Sequence, residues 1–296
     1  MITTELIKNL RERTGAGMMD CKKALVECNG DIDKAGDWLR EKGIAKAAKK
    51  ADRIAAEGLT TVVTDGNYAL ICEINSETDF VAKNEKFINF VNDVATAALK
   101  AKATTLEEAL NAPLNDGTVN DAIVANTATI GEKLSLRRVN LLTKTDKDSF
   151  GSYLHMGGKI GAVCVLSNTD NTSVAKDVAM HIAASNPQYT NTTDIPESEV
   201  EKELHIQTEA AKNDEKLAGK PEAALKKILE GKINKWKAEI SLVEQPFVKD
   251  PGLSVGKYVG QTGATISNFV RYAVGEGLQK REDNFAEEFM NQVGNN

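Results

Sequence analysis

The stretch Cys72-Glu-Ile-Asn-Ser-Glu-Thr-Asp-Phe-Val-Ala-Lys-Asn84 changes character twice. It closes the apolar run Tyr68-Ala-Leu-Ile-Cys-Glu-Ile74, turns polar over Asn75 to Asp79, and presents Phe80-Val81 just ahead of a helical pattern. A phenylalanine directly after an acidic turn can tuck under its own loop or point outward as an anchor for a partner, and we read it as an anchor. Upstream, Leu59-Thr-Thr-Val-Val-Thr64 and the Tyr68 run flank Asp65-Gly66-Asn67, a pair of strands around a turn that favours positive φ. Downstream, Phe87, Phe90, Val91, Val94, Ala98 and Leu99 recur every three or four residues, a helical face suited to covering that sheet. Shorter helical patterns follow at Leu106 to Leu110 and Val119 to Ile130, and Leu134 to Leu141 alternates as a further strand.

The same design recurs further along. Lys159 to Asp170 carries a strand run and polar turn, Val174-Ala-Lys176 repeats Val81-Ala-Lys83, and a helix continues through Met180 and Ile182. A duplicated unit of strands and covering helices follows. Where the first copy has Phe80 before Val-Ala-Lys, the second has Asn171-Thr172-Ser173, so the scaffold alone does not call for the aromatic.

At the N-terminus, Thr3 or Thr4 caps a first helix using Leu6, Ile7 and Leu10, stopped by Thr14-Gly-Ala-Gly17. A second starts near Asp20, carries Cys21, Ala24, Leu25 and Cys28 and ends at Asn29-Gly30, and a third runs from Asp31 with Ile32, Ala35 and Leu39 and stops before Gly43. Three short helices bury little surface, which marks a satellite of the main core. The basic segment Lys42 to Arg53 is either the solvated face of a helix or a place that touches RNA. Between Asp194 and Ile240, two charged helical stretches carry narrow apolar stripes (Val200, Leu204, Gln207, Ala211, then Leu225, Ile228, Leu229, Ile233, Trp236, Ile240) around a turn at Gly219-Lys-Pro221. This is a helical hairpin with a thin coiled-coil seam that permits self-association without requiring it. Ile266 to Val274 returns to strand character, and Phe285 to Met290 places two aromatics on one face of a terminal helix.

The 296 residues suffice for more than one core, and a net charge of -6 gives no reason to expect a nucleic-acid binder as a whole. The four cysteines have neither disulfide nor metal spacing, and read as small buried hydrophobes in a reducing compartment. The N-terminus lacks a basic region followed by an apolar core and no run is long enough to span a bilayer, so a cytoplasmic location and no stable DNA or membrane partner are expected. Chemical catalysis has little support. No Gly-Lys-Ser/Thr phosphate loop occurs, Gly157-Gly158-Lys159 is a lone turn, and His155, His181 and His205 are scattered, with His181 read as a helix-packing residue. Asp146 and Asp148 read as a solvated loop.

Several long words then point one way. Thr78-Asp79-Phe80-Val81-Ala82-Lys83-Asn84, Leu10 to Ala24, Gly151-Ser-Tyr-Leu-His155, Ala179 to Ala184, Gln245-Pro-Phe247 and Val274 to Leu278 resemble the bacterial elongation factor Ts family over nearly the whole chain. The resemblance implies an α+β protein: a three-helix ubiquitin-associated-like domain with linker (1–54), a core of two related subdomains (55–142 and 143–275), a coiled-coil arm inserted at about 188–242, and a C-terminal helical module (276–296). It implies a guanine nucleotide exchange factor for elongation factor Tu, in its GDP-bound and nucleotide-free states, with no cofactor, no metal and no chemical step. It also implies that Phe80 is a wedge with Asp79 as its polar partner, that Thr78 and Val81 complete a segment tied to magnesium displacement, and that Lys22 and His155 add partner contacts. The segment between His155 and Lys159 is a residue longer than in some members. The alternatives, an RNA- or ribosome-associated role and a coiled-coil adaptor, would leave GDP release unstimulated.

Overall fold

In a computed structural model, which describes residues 2–214, 217 and 221–279, the chain is mixed helix and sheet. It divides into two compact units, Met1–Val63 with Cys72–Asn140 and the described part of Tyr272–Asn296, and Thr64–Ile71 with Leu141–Arg271. The terminal helix expected at Phe285 to Met290 lies outside the described residues. No helix among the described residues is long and apolar enough to cross a membrane.

The first unit opens with α1 (Thr4–Thr14), α2 (Met18–Glu27) and α3 (Ile32–Ala48). Thr3 caps α1 by accepting from the Leu6 amide, and Gly15 ends it in the left-handed conformation that glycine adopts without a Cβ clash. Leu10, Cys21, Ala24, Leu25 and Ala35 form the small core of the three helices, with Cys28 partly buried against it. Gly43 does not stop the third helix. It is buried within α3, where a Cβ would make ordinary contact, at 3.4 Å, with that of Ala128 on a neighbouring helix.

The chain continues with β1 (Glu57–Asp65) and β2 (Tyr68–Ser76), joined by Gly66-Asn67, whose hairpin end at Thr64–Ile71 is counted with the second unit, then the single turn α4 (Asp79–Ala82), α5 (Glu85–Lys100) and α6 (Leu106–Leu110). A two-residue ladder, β3 (Pro113–Leu114) and β4 (Gly117–Thr118), leads to α7 (Val119–Ile130) and β5 (Ser135–Thr143). The sheet runs β1-β2-β5. Its middle strand is buried along nearly its whole length, and every residue of the apolar stripe expected on α5 is buried.

The second unit holds β6 (Ser149–His155), β7 (Ile160–Ser167), α8 (Thr172–Ser185), the arm helices α9 (Glu197–Lys212) and α10 (Glu222–Ile240), the short strands β8 (Pro246–Phe247) and β9 (Asp250–Ser254), α11 (Val255–Gly260) and β10 (Thr265–Ala273). Here the sheet runs β10-β7-β6, with β6 and β7 antiparallel and Gly151 opposite Cys164. Gly151 allows α8 onto the sheet, because a Cβ there would fall 1.9 Å from the Ala175 carbonyl oxygen. Along the arm, Ala211 and Ile233 are buried whereas Leu204 and Ile206 stay half exposed. The narrow stripes thus bury only part of what they offer.

His181 lies in this core. One ring nitrogen, Nε2, is 2.9 Å from Gln245 Oε1, while Nδ1 accepts the Val248 amide at 3.2 Å, which requires the neutral ring with its proton on Nε2. Gln245 in turn donates to the Glu239 carbonyl near the end of α10, at 2.6 Å. Burial pulls the His181 pKa below its ordinary value, opposed by the bond to Gln245. The unfolded chain then takes up the proton first, so stability is complete above about pH 6.5 and falls as pH drops from there toward the folded pKa. Thermal denaturation between pH 7.5 and 5.5 should show a smaller loss for His181→Gln than for the wild type. Equal slopes would remove His181 as the cause.

All four cysteines are free, and burial pushes the Cys72 and Cys164 thiols up to about 12, which leaves them unreactive.

Candidate functional site

Ser76 ends β2 and its hydroxyl donates to the Thr78 carbonyl at 3.0 Å, turning the chain out of the sheet. Thr78, in extended backbone, then caps α4 by accepting the Val81 amide. A helix of one turn has no stability of its own, since nucleation is unfavourable, so it must be held from outside. Ala82 is buried beneath it, Lys83 pairs with Asp79 at 2.5 Å, and Asn84 starts α5 afresh by accepting the Lys86 amide. On this turn Phe80 is 82% exposed. A single exposed apolar side chain is ordinary on a protein surface, but an aromatic ring on a backbone fixed by side-chain bonds forms a rigid projection.

The fixing comes from a part of the chain the sequence did not single out. Beyond the left-handed cap Gly131 of α7, the Glu132 carboxylate reaches back to the turn. One oxygen accepts the Glu77 and Thr78 amides at 3.1 and 3.0 Å, and the other accepts the Thr78 hydroxyl at 2.6 Å. The exchange is mutual, because Glu77 accepts the Lys133 amide at 2.6 Å. Arg53 pairs with Glu77 at 3.3 Å, Lys133 Nζ donates to the Arg53 carbonyl, and Lys50 donates to the Gly131 carbonyl. Lys46 pairs with Asp20. The basic stretch between Lys42 and Arg53 is helical through Ala48, and Lys42, over the Trp38 ring, is engaged within the first unit along with Lys46, Lys50 and Arg53. The only local hint of Glu132 was an acidic residue just after a helix-ending glycine, and that pattern is too common to point to a partner 54 positions away.

Thr78, Asp79, Phe80 and Val81 thus share one turn, with only Phe80 strongly exposed. Lys22 is exposed in the middle of α2, away from this turn in sequence and element. His155 belongs to the second unit, exposed at the end of β6, with its Nδ1 3.5 Å from the Tyr153 hydroxyl. After it the chain turns through Met156, Gly157 and Gly158, all at positive φ. Met156 is a non-glycine residue in that conformation and is 72% exposed. Asp146 and Asp148 do serve a loop, with Asp148 accepting the Thr145 amide and hydroxyl and the Asn168 amide, bonds that hold its carboxyl below the usual range.

The second copy of the strand-and-helix unit shows what is particular to the first. Asn171 caps α8 by accepting the Val174 amide, as Thr78 does for Val81, but α8 then continues unbroken to Ser185. In the first copy the helix stops after one turn and restarts at Asn84, so Asp79 and Phe80 sit on a separate step ahead of α5. A family model described as Elongation factor TS matches residues 77–276. That match starts at Glu77, where the clamped turn begins, and takes in α5, both arm helices and β10, about two thirds of the chain. With the turn, the covering helices α5 and α8 and the arm all inside the match, the chain belongs to the elongation factor Ts family.

Proposed function

We propose that this protein loads elongation factor Tu with fresh nucleotide by binding its GDP form, inserting Phe80, and stabilising the nucleotide-free state. Family membership implies a nucleotide exchange factor acting on elongation factor Tu during translation elongation. The observation that carries the mechanism is Phe80, 82% exposed on a turn that the Glu132 carboxylate anchors at Thr78. A GTPase holds GDP through loop amides, a lysine and magnesium, whose ligands tolerate little displacement. A ring pushed between helices beside those loops costs the magnesium and phosphate contacts their geometry. Asp79 and Val81 flank the ring at the point of entry, and Lys22 and His155 add contacts elsewhere.

The energetic requirement is differential affinity. Equal binding to the GDP-bound and empty forms would shift nothing, so the ring must find its pocket chiefly when nucleotide has gone. No bond is made or broken in this chain, and GTP, arriving in excess, expels the factor. Stopped-flow release of fluorescently labelled GDP from elongation factor Tu tests this directly. The wild-type chain is expected to accelerate release, and release at the spontaneous rate would sink the proposal.

A further inference from the structure

We propose that Glu132 is a positioning residue for exchange, the group that keeps Phe80 presented, a role that rests on the exchange reading above. The Glu132 carboxylate accepts three hydrogen bonds from two consecutive residues of the turn: the Glu77 amide, the Thr78 amide and the Thr78 hydroxyl, at 3.1, 3.0 and 2.6 Å. These donors would otherwise face solvent in a segment that leaves a sheet and has no ladder partner there. A charged acceptor makes each bond stronger than a neutral one. Thr78 connects this anchor to the ring, since the hydroxyl that donates to Glu132 also accepts the Val81 amide across Phe80. One side chain therefore sets both the entry to α4 and the cap of its only turn. Glu77 returns a bond to the Lys133 amide, so the segment 131–133 and the segment 77–78 hold each other.

The functional consequence is entropic. A ring on a loose segment must lose its freedom when it enters a partner, and pre-ordering removes that cost from binding. Glu132 touches neither the partner nor nucleotide in this account and acts only through the turn. Two variants separate this role from general folding. Glu132→Ala removes all three acceptors. Glu132→Gln keeps one oxygen for the two amides and offers an NH2 group that the Thr78 hydroxyl can accept, and so is expected to rescue most of the function.

Hydrogen exchange read at the Glu77 and Thr78 amides, together with stopped-flow GDP release, tests the assignment on the full chain. Protection at the two amides is expected to fall at least about tenfold in Glu132→Ala and only slightly in Glu132→Gln. Stimulated GDP release is expected to fall about tenfold in the alanine variant, the loss of roughly one charge-assisted hydrogen bond of ordering, and to stay within a few-fold of wild type in the glutamine variant. The double variant Glu132→Ala/Phe80→Ala is expected to be no slower than Phe80→Ala alone, because a residue that acts through the ring has nothing left to position.

Unchanged amide protection in Glu132→Ala would overturn the assignment, and so would lost protection with wild-type exchange. Additive losses in the double variant would also overturn it, because Glu132 would then act by another route. Should Glu132→Ala fail to fold, Glu132→Asp, which keeps the charge but shortens the reach by one methylene, takes its place: lost amide protection together with lost exchange would uphold the clamp, and wild-type values in both would overturn it. A wild type that leaves GDP release at its spontaneous rate sinks the exchange reading itself, and this role with it, while the amide arm still reports whether Glu132 holds the turn.

Discussion

Phe80→Ala is expected to reduce the stimulated release of GDP from elongation factor Tu about 10- to 100-fold while leaving the stability of the chain itself almost unchanged. Burying a phenylalanine ring is worth about 1.5–3 kcal/mol relative to leaving it in water, and each 1.4 kcal/mol is a factor of ten. In the free protein that ring is 82% exposed, so its removal forfeits little folding energy, within about 0.5 kcal/mol. The whole loss should therefore appear in the complex, and most strongly in the nucleotide-free one. Stopped-flow release and a melting curve on the same sample separate the two effects. Wild-type exchange by Phe80→Ala would move the mechanism to other contacts, and a large drop in melting temperature would mean that the ring supports its own unit.

The second large effect concerns stability. Glu73 is fully buried on β2, where its carboxylate meets Arg137 at 3.1 Å, Arg138 at 2.5 Å, the Asn75 amide group at 3.0 Å and the Gly275 amide at 2.8 Å. Arg138 lies over the Tyr272 ring at 4.0 Å and donates to the Ala273 carbonyl, and Arg137 donates to the Glu276 carbonyl. A single acid thus ties β2, β5 and the chain after β10 within the first unit. Removing one partner of a buried pair leaves the others charged and uncompensated, at a cost of about 3–5 kcal/mol. Set against a typical total of roughly 5–15 kcal/mol, Glu73→Ala should leave the first unit close to unfolding. Urea denaturation in a Trp236→Phe background, where Trp38 reports on the first unit, would measure the loss, and a change under 1 kcal/mol would contradict it.

The same carboxylate also carries a pH dependence. Burial raises its pKa, but the Gly275 amide, the Asn75 amide group and the two guanidinium groups more than offset that, and the net direction is down. The unfolded chain then holds the proton more tightly than the folded one. Stability from Glu73 is present above about pH 4.3 and is lost as pH falls from there through the lower folded pKa. In Glu73→Gln that part of the acid transition should disappear along with the charge.

Neither acid was legible beforehand, and for related reasons. In the apolar run Tyr68 to Ile74, Glu73 is the one charged residue, and nothing among its neighbours names a partner for it. It is buried because two arginines of β5 and an amide of the segment after β10 come to it from 64, 65 and 202 positions away. Glu132 is comparable, since its three bonds go to residues 54 and 55 positions upstream. By contrast, the α5 stripe, the Gly66 turn, the Thr3 cap and the strand-and-helix repeat rest on spacings of two to four residues. Gly43 shows the limit of that local logic. A glycine near an expected helix end reads as a stop, yet α3 runs on through Gly43 to Ala48, with the glycine buried beside Ala128. Order along the chain alone yielded the set of elements and Phe80 as a candidate anchor, because caps, turns and apolar periods act through the covalent distance between neighbours, whereas Thr78, Asp79 and Val81 joined it through resemblance to the family. The exposure of Phe80, the clamp on its turn and the buried charge of Glu73 were decided by tertiary structure alone, since hydrogen-bond partners and desolvation depend on which distant segments the fold brings within about 3 Å.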